Sequence, residues 1–411
     1  MTDGSFVDIA SIGDSRLRWR RPDGTMGALT RTPDGSWTNT LGWTDRPDGT
    51  RISFDCARNA IAFNALEGRR LNLAVSETRF SVQGASLAGR LVMPEGDSRV
   101  PIVVLVHGAE RDSALDDYAL QRMFPAAGIG AFVYDKRGTG ASGGRYTHDY
   151  LTLAVDAIAA MREAKRLAGT RAGRVGYQAG SQGGWVAPLA ATIAPVDFVI
   201  VSFGLAVSPL AAERESIATA LTRRGFGADV VEQGMALADA IDVIATSNFT
   251  QGYDGLEAIR SRYGDAPWFR QIRNGVAGFS RFILDTPPSV LRVEGPQLVP
   301  QIPLHYDPMP VLRHLDTPQL WVLAGDDQDA PPGETKRRLA NLTREGRPIT
   351  VALFPDTEHG LYEYETLPDG SRVSTRLPAG YFPMMRDFVL NGFIGSGYGA
   401  ETTRPGDESG G

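Results

Sequence analysis

The chain has 411 residues, of which 42% are hydrophobic and 22% charged, and its net charge is −6. This length fits one large domain with additions or two domains, and the composition is ordinary for a globular protein. The negative charge and the lack of a basic run argue against nucleic-acid or acidic-membrane partners. No apolar stretch approaches the roughly 20 residues needed to cross a bilayer.

The cysteine content and the first residues bear on the compartment. Cys56 is the only cysteine, so no intrachain disulfide can form. Met1 to Ser5 carry neither a basic region nor an apolar core, so no secretory signal is visible. We therefore expect a cytoplasmic protein, or a periplasmic or secreted one if the chain begins at a mature N-terminus.

Residues 1–75 differ in pattern from the rest of the chain. Pro-Asp-Gly recurs at 22–24, 33–35 and 47–49, with short strand-like segments between these triplets. Proline sets φ for a turn and Asp-Gly tolerates positive φ, so the triplets predict hairpin turns. We expect a small antiparallel β module that serves as a packing or dimerising surface rather than a substrate-binding one.

A core of alternating strands and helices is predicted for residues 76–204 and 309–394. Continuous apolar runs are typical of parallel strands covered on both faces; they occur at 102–106, 131–134, 174–178, 197–202, 319–324 and 349–354. Between them lie helical patterns, for example Leu151 to Leu167, whose apolar face is predicted from Leu151, Val155, Ile158 and Met161. The alternation predicts an α/β class with a doubly wound, mostly parallel sheet.

An insertion at residues 205–308 separates the two halves of this core. Its patterns predict helices at 211–221, 228–245 and 256–263, followed by large aromatic residues that include Trp268, Phe279 and Phe282. We interpret the insertion as a helical cap. The last segment, 395–411, is rich in glycine, serine, threonine and acids, and is predicted to be a disordered tail.

Four polar motifs follow apolar strands. Ser181 stands between Gly180 and Gly183 at a strand-to-helix turn, the layout of a nucleophile elbow, with Ala179 where the usual pattern has glycine. His107 ends an upstream strand. Three aspartates, Asp326, Asp327 and Asp329, follow the strand at 319–324, and His359 follows the strand at 349–354. Serine, acid and histidine thus appear in the order of a nucleophile, its orienting acid and its base.

Residues from about 76 to 394 resemble an α/β-hydrolase of the bacterial serine-esterase kind with a helical cap insertion. The loop Tyr134 to Gly144 is similar to the esterase loop D-x-R-G-x-G-x-S, and Gly180 to Trp185 is similar to the esterase elbow. The resemblance implies Ser181 as nucleophile and His359 as general base. It favours Asp327, followed four residues later by Pro331, as the triad acid, with Asp329 as the alternative.

The remaining site predictions concern the oxyanion and the pocket. Two N–H groups, of Ala109 and Gln182, are expected to form the oxyanion hole. An ionised carboxylate facing this hole would oppose catalysis, so Glu110 is expected to point away from it. Aromatic residues are candidates for the substrate pocket: Trp185, Trp268, Phe279 and Phe282.

The sequence thus predicts a serine hydrolase that cleaves a small carboxylic ester through an acyl-enzyme. An amidase or peptidase using the same triad is the alternative within enzymes, and a catalytically silent ligand-binding protein is the alternative from another class. No metal-ligand spacing and no phosphate-binding loop stand out, so no metal or other cofactor is expected. The expected partner is a small-molecule ester, and self-association into a homo-oligomer is left open.

Overall fold

The computed structural model describes residues 1–12, 16–32, 37–273, 278–368 and 370–407. Its N-terminal part consists of two small antiparallel sheets. The first contains β1 (Asp8–Ile12), β2 (Arg16–Arg20), β3 (Met26–Arg31) and β4 (Trp37–Leu41); the second contains β5 (Ile52–Asp55), β6 (Ala60–Phe63) and β7 (Leu66–Arg69). Trp19, Leu29 and Phe63 form their buried apolar core. The predicted β module is therefore present.

A mixed sheet lies at the centre of the molecule. Its strands are β8 (Leu73–Val82), β9 (Ala85–Pro94), β10 (Val100–Val106), β11 (Gly130–Tyr134), β12 (Ala172–Gly180), β13 (Val199–Ser202), β14 (Gln319–Ala324), β15 (Ile349–Phe354) and β19 (Glu401–Thr403). Between β15 and β19 the chain forms a separate small sheet of β16 (Thr357–Glu358), β17 (Tyr362–Thr366) and β18 (Arg372–Arg376). Their order in the described sheet is β19-β15-β14-β13-β12-β10-β11-β9-β8. The pairs from β11 across to β15 are parallel, and the pairs at both edges are antiparallel.

Helices cover both faces of this sheet. In chain order they are α1 (Ala114–Asp117), α2 (Leu120–Ala126), α3 (Tyr150–Ala168), α4 (Gly183–Ile193), α5 (Pro209–Arg223), α6 (Ala228–Thr246), α7 (Tyr253–Tyr263), α8 (Pro267–Arg273), α9 (Gly278–Asp285), α10 (Pro288–Leu298), α11 (Met309–His314), α12 (Pro332–Arg344) and α13 (Tyr381–Asn391). Residues of α3, α4 and α12 pack on one face, and residues of α2 and α13 pack on the other. The predicted doubly wound, mostly parallel sheet is confirmed. One detail is wrong: Leu151 is 56% exposed and lies outside the buried face of α3.

Helices α5 to α10 form the insertion between β13 and β14. Their buried side chains, among them Leu237, Ile241, Leu256 and Trp268, make an apolar core separate from those that flank the sheet. The insertion is therefore a helical unit with its own core, which accounts for most of its large apolar residues.

The predicted disordered tail is wrong for the segment that forms β19. This strand pairs antiparallel with β15, with Leu353 opposite Glu401, and Lys336 forms an ion pair with Glu401 at 2.8 Å. A strand added to a sheet edge is held by backbone hydrogen bonds. A polar segment with little apolar surface can therefore still be ordered there.

The N-terminal module contacts the rest of the protein at several points. Asp8 accepts two hydrogen bonds from Arg122, and the rings of Phe6 and Phe382 meet edge to face at 5.9 Å. The backbone N–H of Leu377 donates to the carbonyl oxygen of Gly24 at 2.9 Å. These contacts hold the module beside the loops that follow the carboxyl ends of the sheet strands. Within the described residues no helix is long and apolar enough to cross a membrane.

Candidate active site

Ser181 lies at a sharp turn between β12 and α4. Its φ is +51°, in the left-handed region that non-glycine residues seldom adopt. A Cβ on Gly183 would lie 2.9 Å from the carbonyl oxygen of Val106, so a larger residue would push against the neighbouring strand. The side chain of Ala179 is fully buried in β12, so the methyl group in place of the usual glycine is accommodated there. The predicted elbow geometry is present.

Ser181, His359 and Asp327 form a continuous hydrogen-bonded chain. The Nε2 atom of His359 lies 3.1 Å from Oγ of Ser181, and its Nδ1 atom lies 2.9 Å and 3.0 Å from the two carboxylate oxygens of Asp327. A carboxylate at Nδ1 favours the tautomer with the proton on Nδ1, which leaves Nε2 free to accept the serine proton. The structure thus brings together three residues that are widely separated in the sequence.

Of the two candidate acids, Asp327 is the one within hydrogen-bond distance of His359. Its side chain is 1% exposed, and its Oδ1 also accepts the backbone N–H groups of Asp329 and Ala330 at 2.9 and 2.8 Å. Asp329 makes no hydrogen bond to His359 among the described residues, although its side chain also reaches the cavity. Burial raises the pKa of Asp329, the charge of His359 counteracts this rise, and Asp327 adds to it.

The environment of His359 favours its charged form. Burial by itself lowers the pKa of this imidazole, but the charges of Asp327, Asp329 and Glu110 and the hydrogen bond to Asp327 together raise it to about 9. A base with a raised pKa accepts a proton readily but is mostly protonated at neutral pH. The arrangement can therefore stabilise an imidazolium strongly.

The backbone N–H groups of Ala109 and Gln182 are available as oxyanion donors. In the part of the chain that the structure describes, neither donates a hydrogen bond to a protein acceptor. Lys136 links the two segments that carry them: its buried Nζ donates to the carbonyl oxygen of Gly108 at 2.7 Å and to Oε1 of Gln182 at 3.4 Å. Lys136 belongs to the loop Tyr134 to Gly144, and nothing in the local sequence pattern predicts this contact.

Two hydrogen bonds hold the carboxylate of Glu110 in the loop that follows β10. Its Oε1 accepts the backbone N–H of Gly108 at 3.2 Å and the hydroxyl of Tyr118. A Cβ placed on Gly108 would collide with Oε2 of Glu110 and would lie 3.4 Å from Cβ of Ser181. Gly108 therefore lies against both the Glu110 carboxylate and Ser181, and Glu110 is one of the residues that line the cavity around the serine. Arg137, which lies in the loop after β11, forms a bidentate pair with Asp156 and not with Glu110.

A cavity of about 730 Å³ opens over Ser181 and His359. Three parts of the chain line it: the loops after the sheet strands, the insertion, and the N-terminal module through Arg20 at the end of β2. Apolar side chains from the insertion face it, including Phe282, Val299 and Ile302.

The four aromatic pocket candidates have different positions. Trp185 and Phe282 line the cavity, and the indole N–H of Trp185 donates to the carbonyl oxygen of Val207 at 2.9 Å. Trp268 is 3% exposed inside the core of the insertion and does not line the cavity, because the helices of the insertion bury it against one another. The side chain of Phe279 lies outside the described residues. Among the described residues, no three His, Cys, Asp or Glu side chains converge to hold a metal ion.

The sheet order and the placement of Ser181 define the class of the protein. The eight strands from β8 to β15 lie side by side in chain order, except that β10 and β11 have exchanged places. The edge strand β19 is added next to β15. The serine lies on the turn after β12, and the histidine follows β15. The chain has the α/β-hydrolase fold, as its resemblance to that superfamily predicted.

Comparisons with solved structures find several similar chains. The chain is similar to a brefeldin A esterase, a bacterial homologue of human hormone-sensitive lipase, with 17% identity, a TM-score of 0.43, and 75% and 73% of the two chains covered. It is also similar to a Pyrococcus horikoshii acylaminoacyl peptidase, with 15% identity and a TM-score of 0.47. That match covers 95% of this chain and 57% of the peptidase, so the chain spans little more than half of that protein. For a Pyrococcus furiosus esterase the identity is 12% and the TM-score 0.44, and the match covers 71% of this chain and 85% of the esterase.

No family model and no curated protein sequence matches the chain. Similarity at such low identity describes a fold, and this fold hosts many reactions. The reaction has to be argued from the site itself.

Proposed function

We propose that the protein is a serine hydrolase that cleaves a carboxylic ester of modest size through an acyl-enzyme on Ser181. The observation that carries this proposal is the hydrogen-bonded chain from Asp327 through His359 to Ser181, placed at the floor of a cavity. A serine hydroxyl is a weak nucleophile until an adjacent base accepts its proton. The 3.1 Å contact with Nε2 of His359 supplies that base.

The proposed reaction has two similar halves. Oγ of Ser181 attacks the ester carbonyl carbon while Nε2 of His359 takes its proton, and Asp327 stabilises the imidazolium that forms. The N–H groups of Ala109 and Gln182 bind the oxyanion, each donor being worth roughly 10²- to 10³-fold in rate. His359 then gives its proton to the departing alkoxide. Water, activated by His359, hydrolyses the acyl-enzyme and restores the serine.

The cavity supports a substrate of modest size with apolar parts. Its volume of about 730 Å³ lies within the range of small-molecule sites. Phe282, Val299 and Ile302 of the insertion offer apolar contact opposite the loops that carry Ser181 and His359. We expect these residues of the insertion to select the acyl or alcohol group, whereas the bond-breaking groups all belong to the sheet part of the chain.

The direct test is hydrolysis, by the 411-residue protein, of 4-nitrophenyl butanoate and of the matching butanoic 4-nitroanilide. Ester turnover that falls below about one hundredth in Ser181→Ala, with unchanged circular dichroism, supports the proposal. Ser86→Ala, which removes an exposed hydroxyl away from the cavity, is the matched control and should behave as the wild type.

The same assay separates the alternatives. Faster cleavage of the anilide than of the ester would favour an amidase or peptidase using the same triad. No turnover of either compound, together with no reaction of Ser181 with a fluorophosphonate, would favour a ligand-binding protein without catalysis.

A further inference from the structure

We propose that the substrate carries an ammonium group close to the scissile carbonyl, and that Glu110 is the residue that binds this group. The inference rests on the proposed function, because it identifies what the same cavity selects. The proposed substrates are aminoacyl esters or amides as a chemical class. Esters or amides with a neutral acyl group of equal size should then be poorer substrates.

The position of the Glu110 carboxylate is the first observation. Gly108 lies between Glu110 and Ser181 so closely that a Cβ on this glycine would collide with Oε2 of Glu110 and would lie 3.4 Å from Cβ of Ser181. Glu110, Ser181 and His359 all line the same cavity. A substrate bonded to Ser181 in this cavity can therefore extend a substituent of its acyl group toward this carboxylate.

The two oxygens of Glu110 are used differently. Oε1 is fixed by the backbone N–H of Gly108 and by the hydroxyl of Tyr118. Across the described ranges, no donor reaches Oε2. The first oxygen thus orients the carboxylate, and the second is left for a ligand.

Glu110 also has no permanent counter-charge within ion-pair distance among the described residues. Nδ1 of His107 lies 3.7 Å from Oε1, and burial lowers the pKa of this histidine, which disfavours its charged form. The ammonium of Lys136 donates instead to the carbonyl oxygen of Gly108 and to Gln182. Burial alone would raise the pKa of Glu110, but groups around it, among them the hydroxyl of Tyr118 and the ammonium of Lys136, lower it, which favours the carboxylate form.

An ionised carboxylate at this place opposes the proposed reaction with a neutral ester. Negative charge develops on the carbonyl oxygen in the transition state, and a second negative charge nearby disfavours it. An ammonium on the carbon next to the carbonyl removes this conflict because it pairs with Glu110. Besides Glu110, three carboxylates line the cavity, Asp117, Glu213 and Asp329, together with one guanidinium, Arg20.

The test compares isosteric esters that differ in one charge. Alanine methyl ester and methyl 2-methylpropanoate have the same shape, but the alanine ester carries an ammonium where the other ester carries a methyl group. At pH 7 most of the amino groups are charged. The free energy typically contributed by a hydrogen bond to a charged group corresponds to a factor of roughly 10 to 100 in kcat/KM. We expect kcat/KM to favour the alanine ester by about this factor in the wild-type protein.

Glu110→Gln removes the charge and keeps an oxygen that can accept from Gly108 and Tyr118. We expect this variant to lose the preference for the alanine ester, mainly through a lower kcat/KM for that ester, and to turn over the neutral ester faster. Asp112→Asn removes an exposed carboxylate two residues along the same loop and should keep the wild-type preference. A second pair, the methyl esters of β-alanine and butanoic acid, reports how far from the carbonyl the ammonium binds.

Protection of Ser181 from a fluorophosphonate gives a readout that needs no turnover. Alaninamide should slow labelling of the wild-type protein more than 2-methylpropanamide does, and this difference should vanish in Glu110→Gln. Equal protection by the two amides, or an equal loss on both esters in Glu110→Gln, overturns the inference while labelling of Ser181 leaves the proposed function standing. If Ser181 is not labelled at all, the proposed function fails and the inference falls with it.

Discussion

Replacing Asp327 with asparagine should impair the site through the charge and the tautomer of His359. The asparagine oxygen can still accept the N–H groups of Asp329 and Ala330, so the turn is expected to survive. The amide NH₂ can donate to Nδ1, which moves the imidazole proton to Nε2. A ring protonated at Nε2 cannot accept the proton of Ser181.

The magnitude follows from the environment of His359. Its pKa is raised from 6.5 to about 9 despite burial, and at about 1.4 kcal/mol per pH unit this favours the imidazolium by on the order of 3 kcal/mol. Loss of that stabilisation corresponds to roughly 10²-fold in rate. The wrong tautomer adds to it and brings the total loss toward about 10⁴-fold, the size of effect that such a substitution has in a related triad.

The assay is kcat/KM for 4-nitrophenyl butanoate between pH 5 and 10. Only neutral His359 acts as a base, so wild-type activity should rise with pH, with a midpoint above 6.5 and toward 9. In Asp327→Asn the rate should be lower throughout and the midpoint should move to lower pH. Asp329→Asn, which removes a nearby charge that makes no hydrogen bond to His359 among the described residues, should lose less than about tenfold. Equal losses in the two variants, or an unchanged midpoint in Asp327→Asn, would refute the reasoning.

Three further predictions concern the cavity, the core and the elbow. Phe282→Ala should change the ranking of acyl chain lengths in an ester panel, whereas Trp268→Ala should keep the ranking and lower the free energy of unfolding in urea by about 3–5 kcal/mol. Arg137→Met leaves the buried carboxylate of Asp156 without its partner and should cost about 3–5 kcal/mol of stability by the same measurement. Gly183→Ala should lower kcat more than KM changes, because its methyl group pushes the strand end that precedes the oxyanion loop, and steady-state kinetics would show it.

The strands and the elbow could be predicted because their signals are local. Continuous apolar runs mark strands buried on both faces, and the predicted runs at 319–324 and 349–354 coincide with β14 and β15. A serine flanked by small residues between a strand and a helix is typical of a nucleophile elbow. These features depend on neighbours in the sequence, which a single chain displays.

Other features depend on neighbours in space. Asp327 and Asp329 share one turn, and only the path of the backbone decides which carboxylate reaches His359. The carboxylate of Glu110 is held by the backbone N–H of Gly108 and the hydroxyl of Tyr118, and the sequence pattern reveals neither hydrogen bond.

The tail and the insertion show the same limit. Residues Glu401–Thr403 are ordered by the open edge of β15, a partner that lies far away in the sequence. The large aromatic side chain of Trp268 is of a type that often lines pockets, but it is buried in the apolar core formed by the helices of the insertion. The domain boundaries proposed from the sequence, at 75, 204, 308 and 394, stay predictions.

Labelling with a fluorophosphonate, followed by peptide mapping, tests the central claim most directly. The account predicts one adduct, on Ser181, at a labelling rate that increases from pH 6.5 toward 9 as His359 loses its proton, and that falls more than about a hundredfold in His359→Ala. An adduct on another residue, or a labelling rate of Ser181 that is the same with and without His359, would contradict it.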